Sequence, residues 1–351
     1  MKFIHTADVH LGSQLNLPTT QEKINERRAE IRATFKNVVE LAKRENATAI
    51  ILSGDVFDGA RALKKDKEFF YNVIKNNPSI DFLYLRGNHD ILEGFEENYS
   101  NLKLFSDNWT YYEYGNVVIA GIEMTNANAN SMYQSLSLKE DKTNIVMLHG
   151  QVSDVTGNGL IKLANLKDKN IDYLALGHVH SNKIGKIDNR GVYAYSGCPE
   201  GRGFDETGEK GVFLLNAQNG RVESVFVNTA SREISLLTVD CTGLKDVYEI
   251  YARVKEIGKL NVKNLYRIEL YGEIDFDVDG IEKELAKYLN KECYLVSVKE
   301  KLVRKFDVES LKGDVSLKGE FLRQVINSDL PSEDKNRIIS LGLKALSGRD
   351  L

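Results

Sequence analysis

The sequence predicts a layered α/β fold, and three observations carry that expectation. Five apolar runs of strand length each end in a Gly, Asp, Asn or His. Segments of helical period separate the first of these runs, and beyond Ile234 strand and helix alternate again. Sites in layered α/β folds gather at the carboxyl ends of strands, so the polar residues closing these runs are where chemistry is expected.

Taken in order, Phe3-Ile4-His5-Thr6-Ala7 reads as a strand ending at Asp8. After a loop carrying Pro18, residues 21–46 read as a helix: Ile24, Ile31, Phe35, Val38, Val39 and Ala42 recur near helical spacing, with charges between them. Ala49-Ile50-Ile51-Leu52 is a buried-type strand running into Gly54-Asp55-Val56-Phe57-Asp58. A helix near 64–77 leads to Phe82-Leu83-Tyr84-Leu85, which ends at Gly87-Asn88-His89-Asp90. Val117-Val118-Ile119-Ala120 is a further strand, and Asn144-Ile145-Val146-Met147-Leu148 is one that runs into His149. Ile171-Asp172-Tyr173-Leu174-Ala175-Leu176 empties into Gly177-His178-Val179-His180.

Beyond His180, the runs 192–195, 211–215 and 222–227 read as antiparallel strands, with Asn219-Gly220 as a hairpin turn. From Ile234 the pattern becomes strand to Asp240, helix 244–257, strand 265–271, helix 278–289 and strand 294–298, a small α/β module. Residues 306–351 read as two helices, the later one capped by Ser332. The expected division is therefore 1–235, 236–305 and 306–351.

Composition narrows the class. Hydrophobic residues at 42% and charged ones at 28% describe an ordinary globular chain, and 351 residues suit two to three domains. A formal charge of −4 gives no overall attraction to nucleic acid, so such binding needs a local patch or a metal. Arg27, Arg28 and Arg32, and Lys299, Lys301, Arg304 and Lys305, are the candidate patches. Three scattered cysteines make neither a disulfide frame nor a zinc finger. The amino terminus lacks a signal-peptide core and no run approaches about 20 apolar residues, so a cytoplasmic protein away from membranes is expected. No Gly-x-x-x-x-Gly-Lys-Ser/Thr occurs, so any ATP dependence must come from a partner.

The strand ends can be weighed as chemistry. Asp8, His10, Asp55, Asn88, His149, His178 and His180 make a mixed oxygen and imidazole donor set without thiolate. Such a set suits Mn²⁺, Fe²⁺ or Zn²⁺ better than Ca²⁺ or structural zinc. Seven donors are too many for one tetrahedral ion but suit two ions sharing a carboxylate about 3.5–4 Å apart, as in phosphoester-cleaving sites. His5, inside a strand, reads as a packed residue.

Asp8-x-His10, Gly54-Asp55-x-x-Asp58, Gly87-Asn88-His89-Asp90, His149 and Gly177-His178-x-His180 together resemble the motif set of the calcineurin-like metallophosphoesterases. The opening His5-Thr6-Ala7-Asp8-Val9-His10-Leu11-Gly12 resembles the SbcD-type DNA repair nucleases, and Gly197-Cys198-Pro199-Glu200-Gly201-Arg202-Gly203-Phe204-Asp205-Glu206 resembles their YhaO-like branch. The resemblance implies a four-layer α/β/β/α sandwich with metals at one edge, a small α/β capping domain that helps hold DNA, and a helical tail. Carried onto this chain, it implies that Asp8, His10 and His180 hold one ion, that Asn88, His149 and His178 hold the other, and that Asp55 bridges. The ions, manganese by preference, would acidify a water between them. His89 would aid the departing 3′ oxygen, with Asp58 and Asp90 orienting the groups around it.

The function implied is a DNA exonuclease or endonuclease of repair, working as a dimer beside an SMC-like ATPase. A phosphodiesterase or phosphatase for small nucleotides is the alternative, and a scaffold without chemistry the third reading. The apolar residues of 64–77 and of Ile91–Phe105 are expected either to fill the core or to make a twofold contact.

Overall fold

A computed structural model describes residues 1–59, 64–90, 99–218, 220–276, 280–304 and 315–346. The chain forms two compact units, one of Met1–Ser235 with Lys263–Leu265, the other of Leu236–Val262 with Tyr266–Leu351.

The first unit is built on two six-stranded sheets. One runs in the order Arg221–Asn228, Gly211–Gln218, Lys2–Thr6, Ala49–Ser53, Asp81–Leu85, Leu102–Leu104. Its last four strands are parallel, and the fully buried strand Ala49–Ser53, apolar through Leu52, is of the kind covered on both faces. The other runs Lys183–Lys186, Val192–Tyr195, Tyr173–Gly177, Thr143–His149, Val117–Gly121, Thr110–Tyr114. Alternate residues of both sheets meet in one core, where Phe3, Ile51 and Leu83 pack with Ile119, Met147 and Tyr173.

The outer faces are covered differently. Helix Gln21–Arg44, capped by Thr20, and helix Lys64–Lys75 lie on the first sheet, with Phe57 and Tyr84 in edge contact with Phe70 and Phe35 tilted against it. Over the second sheet, the helix Met132–Ser135, the turn Leu163–Asn165 and their loops supply Met132, Tyr133, Leu136 and Leu166. The result is the α/β/β/α sandwich, with a sparse fourth layer.

Some sequence readings shift. The run Val192–Tyr195 pairs parallel with Tyr173–Gly177 and antiparallel only with Lys183–Lys186, because a crossover precedes it. The strands Gly211–Gln218 and Arg221–Asn228 form the expected hairpin, although Asn219 of its turn lies outside the described residues. Phe70, Val73, Ile74 and Phe105 are buried in this unit's own core, so they are not free for a contact between copies. Leu92 and Phe95 lie outside the described residues.

The second unit holds the sheet Ile234–Asp240, Leu265–Ile274, Leu295–Arg304. Helices Val247–Gly258 and Ile281–Leu289 cover it through Ile250, Val254, Leu285 and Leu289, and Asp246 caps the first by accepting from the N–H groups of Tyr248 and Glu249. Val278, expected in the second helix, lies outside the described residues. Helices Leu317–Ile326 and Ser332–Leu346 pack on each other around Leu322, Val325 and Ile339, a cluster apart from the sheet's core. Leu317 and Leu346 stay exposed. Lys301 is paired with Glu269, and Lys305 lies outside the described residues.

Candidate metal centre

Five strand ends meet at one edge of the sandwich. Lys2–Thr6, Ala49–Ser53 and Asp81–Leu85 of the first sheet lead to Asp8 and His10, Asp55, and Asn88 with His89. Thr143–His149 and Tyr173–Gly177 of the second lead to His149, and to His178 and His180. All seven donors named from the sequence therefore come together.

The backbone there departs from regular strand. Asp8, His10, Asp55 and His178 hold positive φ values of 53°, 49°, 54° and 97°, a conformation that costs a non-glycine residue roughly 1–3 kcal/mol. Tertiary bonds hold it: the Asp8 N–H donates to Gly54 O and the His10 N–H to Asp55 O at 2.9 and 3.0 Å. Close approach demands glycine at two points. At Gly54, with φ +93°, a side chain would strike the His149 ring, and at Gly87 it would strike the Asp55 carboxylate.

The seven donors supply two triads, Asp8 with His10 and His180, and Asp55 with His149 and His178, the atoms of each lying within 4.8 Å of one another, and His10 makes a third with Asp58 and His89. His10 Nε2 and His180 Nε2 face each other at 3.3 Å, with Asp8 Oδ1 3.9 Å from the latter. His149 Nδ1 donates to Ser53 O at 2.9 Å, which turns Nε2 toward Asn88 Oδ1 at 3.0 Å and Asp55 Oδ2 at 3.3 Å. Asn88 Oδ1 also lies 3.2 Å from His178 Nδ1. Both Asp8 oxygens accept from the His178 N–H at 3.0 Å, and Asp55 Oδ1 accepts from the His89 N–H at 2.8 Å.

Charge balance shows what this arrangement lacks. Lone pairs of Asp8, Asp55, Asn88 and the imidazole nitrogens converge with few protons among them, which is the condition that divalent cations relieve. Burial disfavours a charged His149 ring, yet Asp55 and Asp8 raise it to about 9. Burial would likewise raise the Asp55 carboxyl, but His149 and the His89 N–H hold it at about 2. His10 and His178 are lowered, in each case chiefly by burial. The residues present fit a pair of cations.

The orienting residues split. Asp58 Oδ1 lies 3.5 Å from His10 Nδ1 and 3.4 Å from His89 Nδ1, and the His10 ring holds its carboxyl at about 2. His89 is half exposed at the mouth. Asp90 touches no other predicted site side chain; it accepts from the backbone of Val56, Phe57 and Gly87, tying two strand ends together, and burial pushes it up to about 6. His5 is buried in the strand, Nδ1 3.0 Å from Tyr173 OH.

Sequence reasoning missed two residues and misread one group. Glu206 and Arg202 reach His180 Nδ1 from the glycine-rich loop. Conversely, Arg27 is fully buried against Glu200, Arg28 donates to Ser13 O, and Arg32 pairs with Asp66, so this is no basic patch for nucleic acid. Among the described residues no helix is long and apolar enough to cross a membrane.

A model of the calcineurin-like phosphoesterase family matches residues 1–182. The DNA double-strand break repair protein Mre11 of Sulfolobus acidocaldarius is 24% identical over 307 residues, 81% of this chain and 78% of that protein. The uncharacterized metallophosphoesterase YhaO of Bacillus subtilis is 28% identical over 277 residues, 73% of this chain and 67% of that one. The SbcD component of the SbcCD nuclease of Rhodobacter capsulatus shares 31% over 100 residues, 27% of this chain and 23% of that component. With five strand ends bringing seven oxygen and imidazole donors together, and with that match running over residues 1–182 of 351, the chain belongs to the calcineurin-like phosphoesterase family and is an enzyme that hydrolyses phosphodiester bonds.

Proposed function

We propose that this chain is a DNA exonuclease or endonuclease of the repair class, working with two Mn²⁺ ions. The observation that carries the two-ion reading is Asp55 Oδ2, which lies 3.3 Å from His149 Nε2 in its own triad and 3.9 Å from His10 Nε2 in the other. Relatives named as a DNA double-strand break repair protein and as part of a nuclease support DNA as the substrate.

In this reading Asp8, His10 and His180 hold one ion, Asn88, His149 and His178 the other, and Asp55 both. Bound there, the ions would acidify a water and neutralise phosphate oxygens. The protein's own groups do the rest. The His178 N–H fixes both Asp8 oxygens, and Ser53 O fixes the His149 tautomer. His89, with Nδ1 turned to Asp58, would as the imidazolium carry a second proton on Nε2 to give to the departing 3′ oxygen. Asp90 keeps the Asp55 and Asn88 loops in register. The cytoplasm is the compartment proposed, with a homodimer and an SMC-like ATPase as partners.

The test is cleavage by the full chain with Mn²⁺ of labelled single- and double-stranded DNA, beside bis-p-nitrophenyl phosphate. DNA turned over far faster than the small ester supports the proposal. One observation favours the alternative, a phosphodiesterase for small nucleotides: a cavity of about 200 Å³ next to Asp58, lined by Ser13, Gln14, Asn16, Arg202 and Asp205. Rapid turnover of the small ester with inert DNA would establish that reading instead.

A further inference from the structure

His180 has two ring nitrogens and, when neutral, one proton to place. Its Nε2 faces His10 Nε2 and Asp8, where an ion would sit. Its Nδ1 meets two residues of the loop that follows Ser196: Glu206 Oε1 at 2.8 Å and Arg202 Nη2 at 3.1 Å. These neighbours make opposite demands, because a carboxylate accepts a proton and a guanidinium only donates.

Distances decide between them. Arg202 Nη2 lies 2.6 Å from that same Glu206 oxygen, Arg202 Nε lies 3.0 Å from it, and the Arg202 N–H donates to Oε2 at 2.7 Å. The guanidinium is thus committed to the carboxylate and stands beside the ring only because both share Oε1. The ring proton belongs on Nδ1, donated to Glu206, which leaves the Nε2 lone pair aimed into the site.

The same loop grips the backbone of His180. Lys210 Nζ donates to its carbonyl at 2.8 Å, and Cys198 Sγ lies 3.6 Å from that oxygen. Gly197, with φ +71°, comes so near that a Cβ there would lie 3.0 Å from both His180 O and Asn182 N. Glu206 is itself buried, so its carboxylate is not a surface charge that happens to lie close.

We infer that Glu206 is a positioning residue that sets the tautomer and aim of His180, with Arg202 holding its carboxylate in place. The inference rests on reading His180 as an ion ligand. Glu206→Gln is nearly isosteric, but either orientation of its amide turns an NH₂ toward the ring or toward Arg202. The expected result, by calorimetric titration of metal-free protein with Mn²⁺, is one site weakened about 10–100-fold and the other unchanged, the usual cost of losing an outer partner. A single cooperative thermal transition of the metal-free variant checks that the lost site is not lost fold.

His180→Ala is the control and should lose one site altogether. If it does while Glu206→Gln binds both ions like the unaltered chain, the inference falls and the reading of His180 stands. If His180→Ala keeps both sites, that reading falls and takes the inference with it. Should Glu206→Gln not fold, ¹H–¹⁵N correlation of the imidazoles in the unaltered, metal-free chain decides alone: a proton on His180 Nδ1 supports the inference, and one on Nε2 overturns it.

Discussion

His89 stands with its Nδ1 3.4 Å from Asp58 Oδ1, and that same oxygen lies 3.5 Å from His10 Nδ1. One carboxylate oxygen thereby orients a ring at the mouth of the site and a ring inside it. His89→Ala should keep both Mn²⁺ ions and DNA affinity while losing about 10²–10⁴-fold in turnover, the range for general-acid help. Single-turnover cleavage beside calorimetric metal binding checks this, and cleavage at the unaltered rate would reduce His89 to a structural residue. Asp58→Asn should disturb metal binding as well, because it also touches His10.

Asp55 belongs to one triad and comes within 3.9 Å of His10 in the other. Asp55→Ala should therefore release both ions and drop activity to background, whereas His178→Ala should weaken one ion only. Elemental analysis after dialysis reads the difference. Two full equivalents retained by Asp55→Ala would rule out a bridging role.

His5 gives a pH dependence with a definite sign. Burial lowers its pKa from 6.5 to about 3, so between those values the unfolded chain binds a proton that the folded chain does not. Stability from this group is whole above pH 6.5 and falls on acidification, by at most about 1.4 kcal/mol per pH unit. Urea unfolding of the metal-free protein between pH 4.5 and 7 should show a shallower acid slope for His5→Phe than for the unaltered chain. Equal slopes would remove His5 as the cause.

Arg27 and Glu200 form a fully buried pair 2.9 Å apart, with Thr34 Oγ1 and the Ser231 N–H also bonded to Glu200. Removing one partner strands the other, so Arg27→Met should destabilise the protein by about 3–5 kcal/mol. Arg27→Met with Glu200→Gln should cost less than the sum of the single changes. Additive costs by denaturant unfolding would mean the two charges do not act on each other.

The sheets and the donors were legible because they obey local rules. Strands buried on both faces must be continuously apolar, and a donor set has to sit where such strands end. Helix Gln21–Arg44 was legible as a helix but not as a surface. Arg27, Ile31, Thr34 and Val38 fall on one buried stripe, and their spacing already put Arg27 there, although its charge argued for solvent. Glu206 could not be found by spacing, since its partner is the distant ring of His180, which only the fold of the loop brings near. The parallel placement of Val192–Tyr195 likewise depends on a crossover, which alternation within a strand does not record.

The centre draws Asp8, His10, Asp55 and Asn88 from one sheet and His149, His178 and His180 from the other. Asp8 and His178 are 170 positions apart in the chain. A cation held there is therefore a removable cross-link between the two halves of the sandwich. Occupancy at a hundred times the dissociation constant adds about 2.7 kcal/mol to the folded state. Chelation would lower the melting of the unit that carries the two six-stranded sheets and spare the other, so heat resistance becomes a gauge of metal supply that needs no substrate to read.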